Sequence, residues 1–138
     1  MSDPAHPSPA MAATILIIEH DEPTATMYAR ILELAGYQVR AVLSAPDALR
    51  AVAGHPPDAI LVDFRMPVMD GLDFLRALRA RPSGRTIPVA IVTGDYQLDE
   101  RVVAELHELG AEIRFKPLWV DDLTALAHQL MEAGKKDN

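Results

Sequence analysis

The polar residues that could do chemistry sit directly behind apolar runs. Glu19, His20 and Asp21 follow Ile15-Leu16-Ile17-Ile18, and Asp63 follows Ala59–Val62. Thr93 follows Ile87–Val92, and Lys116 follows Ile113–Phe115. Each alone has an ordinary explanation. An acid at a strand end is usually a loop residue or a helix cap, a threonine there a strand-end hydroxyl, and a lysine a solvated charge. Acids, a hydroxyl and an amine gathered at one edge are different, because together they can hold a charged ligand. Thiol and thiolate chemistry is excluded, since the chain has no cysteine. Glu105, His107 and Glu108 read as a polar helix face, because no further metal ligand is suitably placed nearby in sequence.

Elements with two distinct periodicities must position these residues. Thr14–Ile18 and Ala59–Val62 are apolar on both faces, as buried parallel strands are. Gln38–Val42, Ile87–Val92 and Ile113–Phe115 read as three more strands. Between them run helical patterns. Met27, Ile31 and Leu34 mark one face after Pro23, and Gly36 ends that helix. Ala45–Ala53 is a short helix closed by Gly54 and Pro56-Pro57. Asp70 reads as the N-cap of a helix whose buried stripe is Leu72, Leu75 and Leu78. Leu98–Leu109 turns Val102, Leu106 and Leu109 inward, and Val120–Met131 does so with Leu123, Leu126 or Ala127, and Leu130. Asp121 and Asp122 suit the N-terminal dipole of this last helix. Strand and helix thus alternate through five units, the pattern of a parallel sheet covered on both faces. In such sheets ligands bind beyond the C-terminal ends of the strands, where the polar residues above fall.

Composition narrows the class. A chain of 138 residues, 49% hydrophobic and 24% charged, suits one globular domain. The net charge of −7 argues against a nucleic-acid surface. No apolar run is long enough to span a membrane, and Ala10–Ile18 lacks the basic flank of a secretory signal, so the cytoplasm is the expected compartment. Residues 1–13, with Pro4, Pro7 and Pro9, read as a disordered leader, and 134–138 as a tail that looks like a frayed helix end. Met66 and Met69 are expected to pack, His55 and His128 to lie on the surface, and Trp119 to pack the start of the last helix or, as the alternative, to lie on a partner-binding face.

The run Val62-Asp63-Phe64-Arg65-Met66-Pro67-Val68-Met69-Asp70-Gly71 resembles the phosphoacceptor segment of response-regulator receiver domains. Ile15–Glu22, Val92-Thr93-Gly94 and Phe115-Lys116-Pro117 fit the same family in the same order, so the resemblance covers Thr14 to Met131. It implies a doubly wound, flavodoxin-like sheet of strand order 2-1-3-4-5, with residues 14–133 as the receiver domain. It implies that Asp63 attacks a phosphoryl donor, with Thr93 and Lys116 contacting phosphoryl oxygens. A Mg2+ ion would be held by Glu19, Asp63, the backbone carbonyl of Arg65, and either His20 or Asp21. Gly94 would leave room for the donor, Pro67 and Gly71 would shape the loop, and Pro117, often after a cis bond in the family, would aim Lys116. The donor would be a sensor histidine kinase or a phosphotransfer protein, and the chain would catalyse only its own phosphorylation and dephosphorylation.

Two departures from the family pattern stand out. The family has paired acids after the first strand, whereas this chain has Glu19-His20. Exchanging a carboxylate for a neutral imidazole removes a charge from a Mg2+ site, at a cost of about 1–4 kcal/mol depending on the effective dielectric. Imidazole also protonates in mildly acid solution and would then repel the metal, so weak and pH-dependent Mg2+ binding is expected. The aromatic residue that often stands three positions before the lysine is replaced by Ile113, and the loop Gly110-Ala111-Glu112 is about one residue short. Tyr96 and Phe115 remain as contacts that could carry a switch. Arg65 and Asp95 occupy the positions two residues after Asp63 and Thr93 that tune phosphoryl lifetime in the family. They are expected to pair across the pocket mouth.

With no output domain expected after Met131, the chain is expected to act by docking on a downstream protein, with homodimerisation possible through the fourth-helix to fifth-helix face. A phosphatase resembling the haloacid dehalogenase family would need a second Asp where Arg65 stands. The serious alternative is a pseudo-receiver, a binding module with weak or no phosphorylation because of His20.

Overall fold

A computed structural model describes residues 12–136. The elements run β1 (Thr14–Ile18), α1 (Glu22–Leu34), β2 (Gln38–Val42), α2 (Ala45–Gly54), β3 (Ala59–Asp63) and α3 (Gly71–Arg79). A 3₁₀ turn at Pro82–Gly84 leads to β4 (Val89–Thr93), α4 (Glu100–Glu108), β5 (Ala111–Phe115) and α5 (Val120–Lys136). All strand pairs are parallel and the sheet order is β2-β1-β3-β4-β5, as the resemblance implied.

Alternation along the central strands builds two cores. Leu16, Ile18, Ile60, Val62, Val89 and Ile91 face α2, α3 and α4, where Val52, Phe74, Leu75, Leu78 and Leu106 close over them. Ile15, Ile17, Leu61 and Val92 face the other way, against Tyr28 and Leu32 of α1 and Leu123, Leu126, Ala127 and Leu130 of α5. Every residue of β3 and β4 is buried, which fits strands covered on both faces. No helix among the described residues is long and apolar enough to cross a membrane.

Side-chain caps fix where the helices begin. Asp21 accepts from the Thr24 amide and Ser44 from that of Asp47. Asp70 and Asp73 form a reciprocal capping box at the start of α3. Gly36, at φ 104°, ends α1 in the left-handed region where a side chain would be strained.

Several expectations need correction. The fully buried residues of α1 are Ala25, Tyr28 and Leu32; of the face read from the sequence, Ile31 is half-buried and packs against the same core, whereas Met27 and Leu34 are exposed. Both sets have helical spacing, and the sheet selects the one carrying the large tyrosine ring. Phe74 is fully buried on α3 beside the expected leucines. β4 starts at Val89 and includes Thr93, and β5 starts at Ala111, directly after Gly110. The last helix runs past Met131, through Gly134 and Lys135 to Lys136. Trp119 does not pack the start of α5; it is 70% exposed. The expected leader lies outside the described residues up to Met11, and Ala12 and Ala13 lead directly into β1.

Candidate functional site

Four neighbouring strands deliver their last residues to one edge. The registers Ile18↔Val62, Asp63↔Val92 and Thr93↔Phe115 align the C-terminal ends of β1, β3, β4 and β5. Backbone bonds continue past them, with the Glu19 amide donating to Val42 O, that of Phe64 to Val92 O and that of Lys116 to Thr93 O. Glu19, Asp63 and Thr93 are the buried polar residues among those described, at 2%, 5% and 0% exposure. Buried charges need partners, and Lys116 supplies one. Its Nζ lies 3.1 Å from Glu19 Oε2 and 3.3 Å from Asp63 Oδ1. The Lys116–Pro117 peptide is cis.

His20 occupies the opposite flank. Its Nδ1 lies 3.4 Å from Asp63 Oδ2 and 3.7 Å from Glu19 Oε1, with the ring half-exposed. Each buried carboxylate therefore divides its oxygens, one toward Lys116 and the other toward His20. The Oε1 atom of Glu19 also accepts from the Asp21 amide at 3.2 Å. The Asp21 carboxylate does not join this group. It caps α1, accepting from the amide and hydroxyl of Thr24, and those bonds hold its carboxyl below the usual range. Of the two residues expected to complete the metal set, the structure brings His20 to the pocket and leaves Asp21 outside it.

The electrostatics express crowding. Burial, and then the charge of Asp63, push the Glu19 carboxyl up; the Asp21 amide and Lys116 offset this only in part. For Lys116, burial works against the charged form, but the neighbouring Asp63 and Glu19 outweigh it and the ammonium is held more firmly than usual. Glu19, His20 and Asp63 each offer one donor atom within 4.8 Å of the others, the single such grouping found among the described residues. The set suits a divalent cation in charge. It does not match what Mg2+ prefers, because one of the three donors is nitrogen and Mg2+ takes oxygen.

The surrounding loops shape access. The Thr93 hydroxyl accepts from the Asp95 amide at 3.0 Å. A Cβ on Gly94 would meet open space. One on Gly71 would lie 3.0 Å from Phe64 Cα and 3.3 Å from Asp63 O, so this glycine lets α3 start against the segment after Asp63. Within that segment Val68 is fully exposed at φ 72°, a conformation that β-branched residues rarely adopt. Arg65 pairs with Asp95 at 2.5 Å, as the sequence suggested, and this bond together with the Gln97 amide lowers the Asp95 carboxyl. The Arg65 guanidinium also lies over the Phe64 ring at 5.2 Å.

Sequence reasoning named Tyr96 only loosely. Its ring stacks on Phe115 with centroids 5.0 Å apart, and its hydroxyl donates to Lys116 O at 2.6 Å. An aromatic three residues after the strand-end threonine was the available signal. Ile113 is half-buried and packs into the core under α4. Met66 and Met69 pack against the same core, and His55 and His128 are exposed, all as expected.

Comparison with known proteins gives one answer. Residues 15–128 match the response regulator receiver domain family. Among curated proteins, the transcriptional regulatory protein PrrA of Mycobacterium tuberculosis is 31% identical over 117 residues, which cover 85% of this chain and 49% of PrrA. Response regulator MprA of Mycobacterium sp. (strain KMS) is 30% identical over 127 residues, covering 92% and 54%. The chain thus spans about half the length of the curated relatives it matches. Among solved structures, the receiver domain of a signal transduction histidine kinase from Syntrophus aciditrophicus is 35% identical, with TM-score 0.77 and coverage of 88% and 91%. A CheY-like receiver domain protein from Methanospirillum hungatei is 25% identical, with TM-score 0.82 and coverage of 92% and 99%.

Proposed function

The chain belongs to the response regulator receiver domain family, and on that premise we propose that it accepts a phosphoryl group on Asp63 from a sensor histidine kinase or phosphotransfer protein and signals by docking on partner proteins. The observation that carries this reading is Asp63 itself. It is a buried carboxylate at a strand end, with one oxygen 3.3 Å from Lys116 Nζ and the other 3.4 Å from His20 Nδ1.

A carboxylate is a weak nucleophile, so positioning and charge neutralisation must do the catalysis. An oxygen of Asp63 attacks phosphorus, and the bond from phosphorus to the donor imidazole nitrogen breaks. The electron pair stays on that nitrogen, which takes up a proton, and an acyl phosphate remains on Asp63. Lys116, already charged and close, turns to a phosphoryl oxygen. The Thr93 hydroxyl donates to another phosphoryl oxygen while it still accepts from the Asp95 amide. A bound divalent cation would supply further charge neutralisation, held by Glu19, Asp63, His20 and the carbonyl of Arg65. The Arg65–Asp95 pair spans the mouth of the pocket and restricts attacking water. Self-phosphorylation and dephosphorylation are the only reactions in this account.

The signal leaves through the neighbouring loop. Movement of Thr93 tugs on Asp95 and Tyr96, and Tyr96 is tied to Phe115 and to the Lys116 carbonyl. Tyr96, Phe115, Trp119 and Val120 are exposed apolar residues beside β5 and the start of α5, on the face assigned to a downstream protein or a second copy.

The pseudo-receiver reading has one specific observation in its favour, the imidazole of His20 facing both buried acids. Incubation with a divalent cation and acetyl phosphate, followed by intact mass measurement beside Asp63→Asn, separates the two. One added phosphoryl group, absent in the variant, is expected. No addition to folded protein, with phosphohistidine donors also tried, would favour the pseudo-receiver.

A further inference from the structure

We infer that the pocket formed by Glu19, His20 and Asp63 selects a divalent transition-metal ion over Mg2+. The donors carry the argument. Two carboxylates and one imidazole form a mixed oxygen and nitrogen set, which first-row transition metals accept readily and Mg2+ does not. A cation bonded at about 2.0–2.1 Å to such donors places neighbouring donor atoms about 3.0–3.4 Å apart. His20 Nδ1 is 3.4 Å from Asp63 Oδ2 and 3.7 Å from Glu19 Oε1, and the three donor atoms lie within 4.8 Å of one another, so the group would close on an ion by contraction.

The division of carboxylate oxygens supports this independently. Lys116 takes Glu19 Oε2 and Asp63 Oδ1, whereas His20 faces Glu19 Oε1 and Asp63 Oδ2. A cation beside His20 therefore need not displace the ammonium. Both acids are almost fully buried, so they are already held in place before a metal arrives. His20 is half-exposed and can adjust its ring to the ion. The alternative oxygen donor next in sequence, Asp21, is committed to capping α1. The nitrogen donor is thus the one the fold presents.

The pocket is the same one assigned to phosphoryl transfer, but metal binding is read with no phosphodonor present, so either reading can fail while the other stands. The probes are Co2+, followed by visible absorption and calorimetry, and Mg2+, followed by calorimetry. Wild-type protein is expected to bind Co2+ with ligand-field bands that include nitrogen coordination. His20→Ala is expected to weaken Co2+ about tenfold or more while leaving Mg2+ within about twofold. His20→Asp is expected to lower the ratio of Co2+ to Mg2+ affinity by about tenfold or more, mainly by strengthening Mg2+. Asp63→Asn should weaken Co2+ as well, which ties the signal to this pocket rather than to the surface residues His55, His107 or His128. Melting curves without metal verify that each variant is folded. An unchanged Co2+ to Mg2+ ratio in His20→Asp, or Co2+ binding indifferent to both His20→Ala and Asp63→Asn, would overturn the inference.

Discussion

Two charged clusters sit at opposite edges of one sheet and obey opposite rules. At the edge where β4 and β5 begin, Arg79 of α3 donates to three neutral carbonyls, those of Leu109, Gly84 and Ile87, each at 2.8 Å. One guanidinium thereby ties the end of α4, the 3₁₀ turn and the approach to β4 to the last turn of α3. At the edge where β1 and β3 end, two buried acids crowd together, and burial and Asp63 raise the Glu19 carboxyl against the pull of Lys116. The first binds backbone carbonyls from three neighbouring segments. The second holds two like charges side by side, with Lys116 against one oxygen of each and His20 facing the other. On that contrast, the first arrangement should stabilise the fold and the second should cost it stability.

The contrast predicts opposite signs on mutation. Arg79→Met should cost about 2–4 kcal/mol in urea unfolding, because it strands part-buried carbonyls that accept charged hydrogen bonds. A loss below about 1 kcal/mol would show that water replaces the guanidinium easily. At the other edge, Asp63→Asn in metal-free protein should leave stability unchanged or raise it by up to about 1 kcal/mol, since one of two crowded buried charges disappears. A clear loss would mean that the acids are net stabilising, and the contrast would fail.

Strain should follow the same division. Val68 is fully exposed at φ 72° in the loop behind Asp63, so Val68→Asn should gain about 1 kcal/mol on thermal or chemical unfolding. An unchanged value would place no strain at the binding edge. The mouth of the pocket offers a kinetic test. If Arg65 and Asp95 hold back water, Asp95→Ala should speed loss of the phosphoryl group a few-fold, measured by mass after removal of the donor. An unchanged rate would make the pair two surface charges of little consequence.

The smallest effect is expected midway between the edges, where Arg76 of α3 grips Glu105 of α4 with bonds of 2.5 and 2.6 Å. The pairing with Arg76 lowers the folded-state carboxyl of Glu105. Its contribution is therefore present above the unfolded value near 4.5 and is lost as pH falls through the lower folded value. Glu105→Gln should reduce the melting temperature slightly at neutral pH and not at all in strongly acid solution. A difference that persists in acid would assign the effect to packing.

The fold was legible where the chemistry was unambiguous. A run such as Ile15-Leu16-Ile17-Ile18 has no polar face, so a strand covered on both sides was the economical reading, and both cores are built that way. In α1 the spacing alone did not decide the face. Ala25, Tyr28 and Leu32 share the helical spacing of Met27, Ile31 and Leu34, and of the second set only Ile31 packs against the core that Tyr28 and Leu32 join. Of the two readings of Trp119 the structure favours the exposed one, and Leu118 beside it takes the core position. At the site, the strand-end positions of Glu19, Asp63, Thr93 and Lys116 could be read from the sequence. The role of Asp21 could have been, since Asp-x-x-Thr ahead of a helix is a capping pattern. The division of carboxylate oxygens between Lys116 and His20 could not, because it depends on side-chain directions that no spacing encodes.

The most direct test locates the phosphoryl group. Protein treated with phosphodonor and cation would be reduced with borohydride, which converts an acyl phosphate on an aspartate to homoserine, and then mapped by tandem mass spectrometry. Homoserine at position 63, and nowhere else, is the result the account predicts. An unmodified position 63 beside a conversion at Asp21, Asp58 or Asp70 would contradict it.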